Sequence, residues 1–376
     1  MESADLCRSE GSDFVNHSEL CQGRHSISVQ RHFSQLPVFL REEVLHCFYG
    51  EEWYSFFMQE GEDAFLHCFA PSPVADTGYF DAEPWLGYPG FLTNSNSLDF
   101  LRRALACYSQ ACYQSRLVCE LIRFEPLLSH DQIFHELHPR LRFIREKPIV
   151  YMKLSSSPEA LFETYTENAR RNIGSARRAG HEPLELDIHS SSWTEFVDLY
   201  TTSMTRVGAD APWHFPPETF KKLQNLSVSS LWGIRNGAGQ LVSACLVLSN
   251  TDLGYYLLVA NANPKRYKGV NHLLIHHVAS VLGRRDLSWL SLGGGTSSSE
   301  DDQLLFFKTR FSKLIFPLPI GFFVHDERRF NAWCSASDSD SKIFLKYRLD
   351  ARFAPGRFAA TQLLCPSGCW PQSGGP

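Results

Sequence analysis

The residues with chemistry to offer fall in a few short stretches. Arg266-Tyr267-Lys268-Gly269-Val270-Asn271 places two basic side chains and a glycine between an apolar, β-prone run, Tyr255 to Ala260, and a helical pattern, His272 to Leu282. N–H groups at a helix start lack intrahelical partners and favour an anion. Glycine lets the backbone approach a ligand closely or take a positive φ. Arg266, Lys268 and Gly269 therefore read as a seat for phosphate or pyrophosphate. The other reading is a surface turn with solvated basic side chains.

A second stretch follows at once. Leu287 to Leu292 is a short strand, Gly293-Gly294-Gly295 ends it, and Asp301 to Phe311 is a helix carrying Lys308. Lys308 offers a positive charge to a phosphate or an oxyanion, or is a helix-surface lysine. Asp302, with Glu300 and Asp301 beside it, is a candidate base. An acid there also complements the helix dipole. In the loop 207–217, His214 has a pKa range suited to proton abstraction, and Trp213 beside it belongs to an aromatic wall for an acceptor pocket.

Earlier in the chain, Trp85-Leu86-Gly87-Tyr88-Pro89-Gly90 sets aromatic rings beside Gly and Pro, where they wall a groove or plug the end of a core. Arg123 and Glu125 leave an apolar strand as a charged pair, catalytic or structural. Trp85, Tyr88, Arg123, Glu125, Trp213 and Tyr256 are the substrate-binding candidates. His272 and His276 share a helix face without a carboxylate partner, and Cys365 and Cys369 lack a second pair, so no metal site is expected.

The elements that position these residues follow from periodicity. Leu40 to Tyr49 is helix-compatible, Ala64 to Ala70 a strand, Leu98 to Ser115 a helix, and Leu117 to Phe124 and Ile149 to Leu154 strands. Ser157-Pro158-Glu159 opens a helix with a capping hydroxyl and a first-turn proline. That helix is expected to continue through Tyr165 to Ala179, with Arg170, Arg171, Arg177 and Arg178 as two pairs two turns apart, and to stop at Gly180. That basic face meets phosphates or water. From residue 184 the expected order is β, α, α, β, β, β, α, β, α, β, with a closing strand within 342–353. This is an α/β class with mixed sheets. No GxGxxG follows the first strand, and there is no Walker motif, GxSxG elbow or HExxH.

Composition bounds the rest. A chain of 376 residues holds two domains or one large one. Apolar content of 43% and charged content of 20% fit a globular protein, and 28 Phe suggest generous cores or an apolar groove. A net charge of -5 gives no support for wholesale nucleic-acid binding, so no DNA partner is expected. Eleven Cys without regular spacing read as free thiols in a reducing, cytoplasmic compartment. Met1 to Arg24 lacks the basic start and apolar core of a signal peptide. No apolar run reaches the roughly 18 residues of a membrane span.

The element order and the turn motifs together resemble the GNAT acyltransferase superfamily, and more closely its FemAB-like branch, whose members carry two GNAT-like domains. The resemblance covers roughly residues 40 to 335. It rests on Gly87-Tyr88-Pro89-Gly90, Arg123-Phe124-x-Pro126-Leu127-Leu128, the basic helix Asn168 to Gly180, Leu292-Gly293-Gly294-Gly295, and Asp302 with Phe307-Lys308-x-x-Phe311. It implies tandem GNAT-like domains: a leader 1–30, an N-terminal domain 31–150, a basic connecting region 151–183, a C-terminal domain 184–353 with the donor site, and a flexible tail 354–376. GNAT members cradle coenzyme A pyrophosphate with Arg/Gln-x-x-Gly-x-Gly/Ala, which here is Arg266-x-x-Gly269-x-Asn271, so Arg266, Lys268, Gly269 and Asn271 become the cofactor-binding set. The last position departs from the pattern.

The resemblance further implies acyl transfer to an amine. The amine must be neutral, the oxyanion needs donors, and the leaving group needs a proton or a positive environment. In members that use aminoacyl-tRNA, a Lys in the Phe-Lys position stabilises the donor or the developing charge, which here is Lys308. Phe306 and Phe307 stand where GNAT enzymes often place a proton-donating Tyr. The expected function is an N-acyltransferase taking acyl-CoA as donor co-substrate, with no tightly bound cofactor, and acting on an amine of a small metabolite, amino sugar or peptide. The alternatives are an aminoacyl-tRNA-dependent transferase, which would make tRNA a partner, and an inactive GNAT-like binding scaffold. The aromatic N-terminal half, without a basic glycine turn, is expected to shape the acceptor groove at the domain interface.

Overall fold

Runs of aromatic and β-branched residues give the early part of the chain its strands. In the computed structural model, which describes residues 16–263, 265–296, 301–336, 344–350 and 353, this part forms β1 (Asn16–Gln22), α1 (Val29–His32), α2 (Glu42–Tyr49), β2 (Tyr54–Glu60), β3 (Asp63–Phe69), β4 (Pro71–Pro73), β5 (Phe80–Ala82), β6 (Leu92–Thr93), α3 (Leu98–Gln114), β7 (Leu117–Arg123) and α4 (His130–Phe134). β1, β2, β3 and β6 form an antiparallel four-stranded sheet. Successive side chains of a strand face opposite ways. Phe56, Met58 and Phe65 accordingly meet Phe100, Leu101, Ala104 and Tyr108 of α3. Phe57, Leu66 and Cys68 instead meet Val29, Leu45 and Trp53.

The next stretch is β8 (Leu141–Lys153), α5 (Pro158–Glu163), α6 (Glu167–Arg178), β9 (Pro183–Leu186), α7 (Ser191–Val207), α8 (Pro217–Gln224), β10 (Ser229–Arg235), β11 (Leu241–Ser249), β12 (Leu253–Asn261), α9 (Val270–Arg284), β13 (Trp289–Gly293) and α10 (Gln303–Lys308). β14 (Leu314–Val324) and α11 (Glu327–Ala336) close the described elements. Two units result, one up to Glu146 together with the residues from Leu318, the other Lys147–Pro317.

In the first unit, unit 1, β4, β5, β7 and β14 are successive neighbours, with β5 parallel to β7 and β14 antiparallel to it. In the second, unit 2, the order is β8-β13-β12-β11-β10-β9. β12 and β13 are parallel, joined by α9 as crossover helix, and their neighbours are antiparallel. This is the mixed sheet expected from the sequence. α6 and α9 cover it, burying Ala169, Ile173 and Ala176 with Leu273, Leu274 and Val278.

Several boundaries differ from the expectation. The leader 1–30 is not loose over its described part: β1 pairs with β2 and buries Cys21, and α1 buries Val29. Residues 151–183 do not form a separate connector but lie in unit 2, because the apolar face of α6 packs on α9. The long basic helix is two helices, since the Thr166 side chain accepts from Ala169 N–H and starts α6 anew. Ser157 caps α5 as expected, accepting from Ala160 N–H at 3.1 Å. The expected closing strand is a 3-10 turn, Lys346–Leu349, pinned by Arg348 on the Asp81 carboxylate. The expected tail 354–376 lies outside the described residues.

Candidate active site

The site of unit 2 begins where β12 and β13 part. Their pairing runs from Leu253 opposite Trp289 to Tyr255 opposite Ser291 and stops there. β12 continues to Asn261 and β13 to Gly293. Opposite β11 a register shift leaves Leu257 as an extra residue, since Val247 faces Tyr256 and Leu246 faces Leu258. Such a bulge bends a strand and frees backbone groups from the ladder.

The two parted strand ends lead to the two turns singled out above. After β12, Gly269 caps α9 with φ +82°. A Cβ on Gly269 would lie 2.3 Å from the Asn172 carbonyl oxygen. Positive φ and the close approach of α6 both require glycine here, so helix packing accounts for Gly269 by itself. Arg266 and Lys268 are exposed, with the Arg266 guanidinium 5.3 Å from the Tyr267 ring centroid. Asn271 Oδ1 accepts a 3.0 Å hydrogen bond from Tyr256 Oη. Burial pushes the Tyr256 phenol well up, and its hydroxyl is engaged inside unit 2.

After β13 the triple glycine receives two side chains from α10. Lys308 Nζ donates to the Gly294 carbonyl at 2.6 Å. A Cβ on Gly293 would lie 3.3 Å from that nitrogen, and one on Gly295 would strike the Asp302 carboxylate at 2.5 Å. The glycines thus let lysine and aspartate close on the turn. Burial pulls the Lys308 ammonium down to about 8, against the opposing pull of Asp302.

Asp302 is 5% exposed. Its Oδ1 accepts from Leu305 N–H at 2.7 Å, and its Oδ2 from Thr296 N–H at 2.7 Å and Thr296 Oγ1 at 2.8 Å. Both oxygens carry structural donors, so the geometry gives Asp302 the capping role rather than that of a base. Asp301 is exposed, and Glu300 lies outside the described residues.

Two residues near the site were not singled out for it. His272, in the first turn of α9, sets its ring 4.9 Å from Phe307 and 5.6 Å from Phe311. Its Nε2 is buried without a hydrogen-bond partner, and burial pulls the imidazole down to about 4. Arg310 donates to Asn168 Oδ1 at 2.9 Å, and its carbonyl accepts from Thr166 N–H, tying the end of α10 to the start of α6. The sequence signal for both was their spacing from Lys308 and Gly269.

The other candidates lie on other elements. His214 and Trp213 occupy the loop between α7 and α8. His214 Nε2 lies 3.1 Å from the Ala209 carbonyl of the same loop, and the Trp213 carbonyl accepts from Tyr200 Oη.

Trp85, Tyr88, Arg123 and Glu125 belong to unit 1. Trp85 packs on Phe48 and Tyr88 on Phe39. Arg123 faces Glu83 at 3.8 Å and the Trp85 carbonyl at 3.4 Å. Glu125 is buried and accepts from Leu127 N–H, capping a 3-10 turn.

No family model matches the chain, and no curated protein matches it in sequence. Solved structures do match in fold. The crystal structure of FemX superposes with a TM-score of 0.65 at 12% identity, covering 82% of this chain and 98% of FemX. The L-PGS structure from Bacillus licheniformis gives 0.53 at 12% identity, covering 76% and 87%. The C-terminal domain of a putative lysylphosphatidylglycerol synthetase from Agrobacterium fabrum gives 0.52 at 10%, covering 77% and 88%. The fold is thus a mixed α/β fold like that of FemX. Among the described residues no helix is long and apolar enough to cross a membrane.

Proposed function

We propose that this protein is an acyltransferase built from tandem GNAT-like domains, forming an amide on an amine acceptor from a coenzyme A thioester. The observation that carries the reading is the Lys308 ammonium held against the triple-glycine turn at the end of β13, in a fold shared with FemX.

The neutral amine attacks the acyl carbonyl carbon, a tetrahedral oxyanion forms, and the C–S bond breaks with release of the thiolate. The amine proton leaves to a base or to water. Lys308, charged at neutral pH with its pKa near 8, places positive charge where the oxyanion or a donor phosphate needs it. The N–H groups where β12 and β13 part are the companion donors, and the exposed Arg266 and Lys268 before α9 take the pyrophosphate.

A second reading has its own observation. Arg171, Arg177 and Arg178 are exposed on α6, the helix whose Asn172 carbonyl meets Gly269. A basic helix beside the donor turn fits a nucleic-acid donor, an aminoacyl-tRNA.

Calorimetric titration with coenzyme A and with aminoacyl-tRNA, each repeated on Lys268→Ala and Lys308→Ala, separates the two. Coenzyme binding weakened by Lys268→Ala supports the thioester donor. Binding of aminoacyl-tRNA alone, weakened by Lys308→Ala, replaces it with the second reading. If neither ligand binds, the acyl-transfer proposal falls and a binding scaffold takes its place.

A further inference from the structure

Unit 1 holds a buried charged cluster that acyl transfer does not use. Glu120 of β7 is 1% exposed and lies between two imidazoles that are 2% and 1% exposed, those of His67 and His325. His67, on β3, approaches Glu120 Oε2 with its Nε2 at 3.0 Å. His325 directly follows β14. Its Nε2 is 3.3 Å from Glu120 Oε1, and its Nδ1 is 3.2 Å from Ser109 Oγ of α3. The carboxylate therefore bridges a strand of the four-stranded sheet to the β7 and β14 pair.

Other titratable groups surround it. Tyr108 and Cys112 of α3 face the carboxylate, and burial pushes both well up, so neither supplies charge. Arg140 donates to the His325 carbonyl at 2.9 Å, and its own N–H is taken by His138 Nδ1. Arg140, His138 and His67 all bear on His325. Beside the cluster is a cavity of about 10 Å³, lined by His67, Glu120, Tyr49, Glu83, Phe69 and Pro84. That is room for one water molecule.

Four polar atoms here lack a hydrogen-bond partner among the described residues: His67 Nδ1, Tyr108 Oη, Glu120 Oε1 and His325 Nε2. The last two face each other. A buried acceptor oxygen opposite a ring nitrogen is unfavourable unless a proton lies between them. His325 has an acceptor on each side, Ser109 Oγ and Glu120 Oε1. His67 has one only, Glu120 Oε2. The Ser109 hydroxyl accepts from Nδ1–H or donates to bare Nδ1, so the proton arrives and leaves without a change of neighbours. Among the described residues no group of three or more His, Cys, Asp or Glu is arranged for a metal ion.

We propose that His67, Glu120 and His325 form a one-proton store, loaded at His325, that latches β3 to β7 and β14 and makes the cavity beside them responsive to pH. Loading turns a carboxylate with neutral rings into a neutral ion pair and draws His325 onto Glu120.

The test is ring ¹⁵N NMR of histidine-labelled full-length protein between about pH 8 and about pH 4.5. The expected result is one protonation, on His325. In Ser109→Ala the imidazolium loses an acceptor, and the midpoint is expected to fall by about one pH unit. His67→Gln, which keeps a donor to Glu120, is expected to retain the titration. Independent titration of the two rings overturns the proposal. So does a titration lost in folded His67→Gln, a His325 ring unchanged across the range, or a Zn²⁺-induced shift of both rings.

Discussion

Lys308 Nζ and the Gly294 carbonyl are joined at 2.6 Å across the turn that ends β13. The bond fixes a long, otherwise mobile cation at the mouth of two parting strands. For the proposed acyl transfer it also pre-orders the charge, so that little reorganisation is needed as negative charge develops on the acyl group. The same arrangement explains why Gly293 and Gly295 stand there, since side chains at these positions would meet the lysine and the aspartate.

Turnover should follow the charge of this lysine. Its ammonium is pulled down to about 8 by burial, so activity that needs the cation falls as pH rises through that value. A general base elsewhere would make activity rise with pH on the acid side and leave the alkaline fall intact. Lys308→Met should reduce kcat by about 10²-fold or more and remove the alkaline limb. Lys308→Arg, charged throughout, should move the limb to higher pH. An unchanged alkaline limb in Lys308→Arg would exclude the lysine as its origin.

Gly269→Ala tests how much of the donor turn is packing. The new methyl meets the Asn172 carbonyl at 2.3 Å in a φ +82° conformation. Strain of this kind costs more than about 1 kcal/mol. In a unit of this size that lowers the melting temperature by at least a few degrees. Coenzyme affinity should fall together with stability, because α6 must retreat from α9. A fall in affinity at unchanged melting temperature would instead mean that Gly269 directly touches the ligand.

Much of this was readable from residue patterns, for reasons that differ by element. The mixed sheet of unit 2 was legible because β10, β11 and β12 are apolar runs punctuated by Asn236-Gly237 and Asn250-Thr251-Asp252. α5 was legible from Ser157 and Pro158. The break before α6 was not, because Thr166 reads as an ordinary helix residue until its side chain is seen to cap. β2 was hidden among aromatics that suit either period, and β1 by its polar sequence. The meeting of Lys308 with Gly294 was within reach of the sequence, since both flank one short loop. The roles of Asp302 and Gly269 were not. Each residue type fits both a functional and a packing task, and only the partners, Leu305 N–H, Thr296 and Asn172, distinguish them. The cluster of His67, Glu120 and His325 joins residues from distant strands and left no local trace.

Asp302→Asn and Asp302→Ala separate cap from base. An asparagine keeps an oxygen for Leu305 N–H, and alanine keeps none. Loss of the cap costs about 1 kcal/mol. Stability should therefore fall more in Asp302→Ala than in Asp302→Asn, with activity following stability. If Asp302→Asn were as stable as the parent yet lost about 10²-fold or more in kcat, the carboxylate would be the base after all.

Acid should weaken unit 1 before it touches Lys308. The Glu120 carboxyl is held down to about 2 although burial opposes it, because His67 and His325 lie on either side. The unfolded chain takes up that proton in the ordinary carboxylate range, so the native state loses this support as pH falls from there towards about 2. His325, pulled below the ordinary imidazole range by burial, acts in the same direction at higher pH: its contribution is present above the ordinary range and declines as pH falls through it. Melting temperature measured from pH 7 downward should thus drop in two stages. Glu120→Gln removes the carboxylate stage and should flatten the lower part of the curve, at the expense of stability near neutrality because both imidazoles lose a charged partner. The Lys308 ammonium stays charged throughout this window, so coenzyme or tRNA affinity of still-folded protein should not follow the same curve. An acid profile identical in parent and Glu120→Gln would show that the buried carboxylate carries no part of the pH dependence.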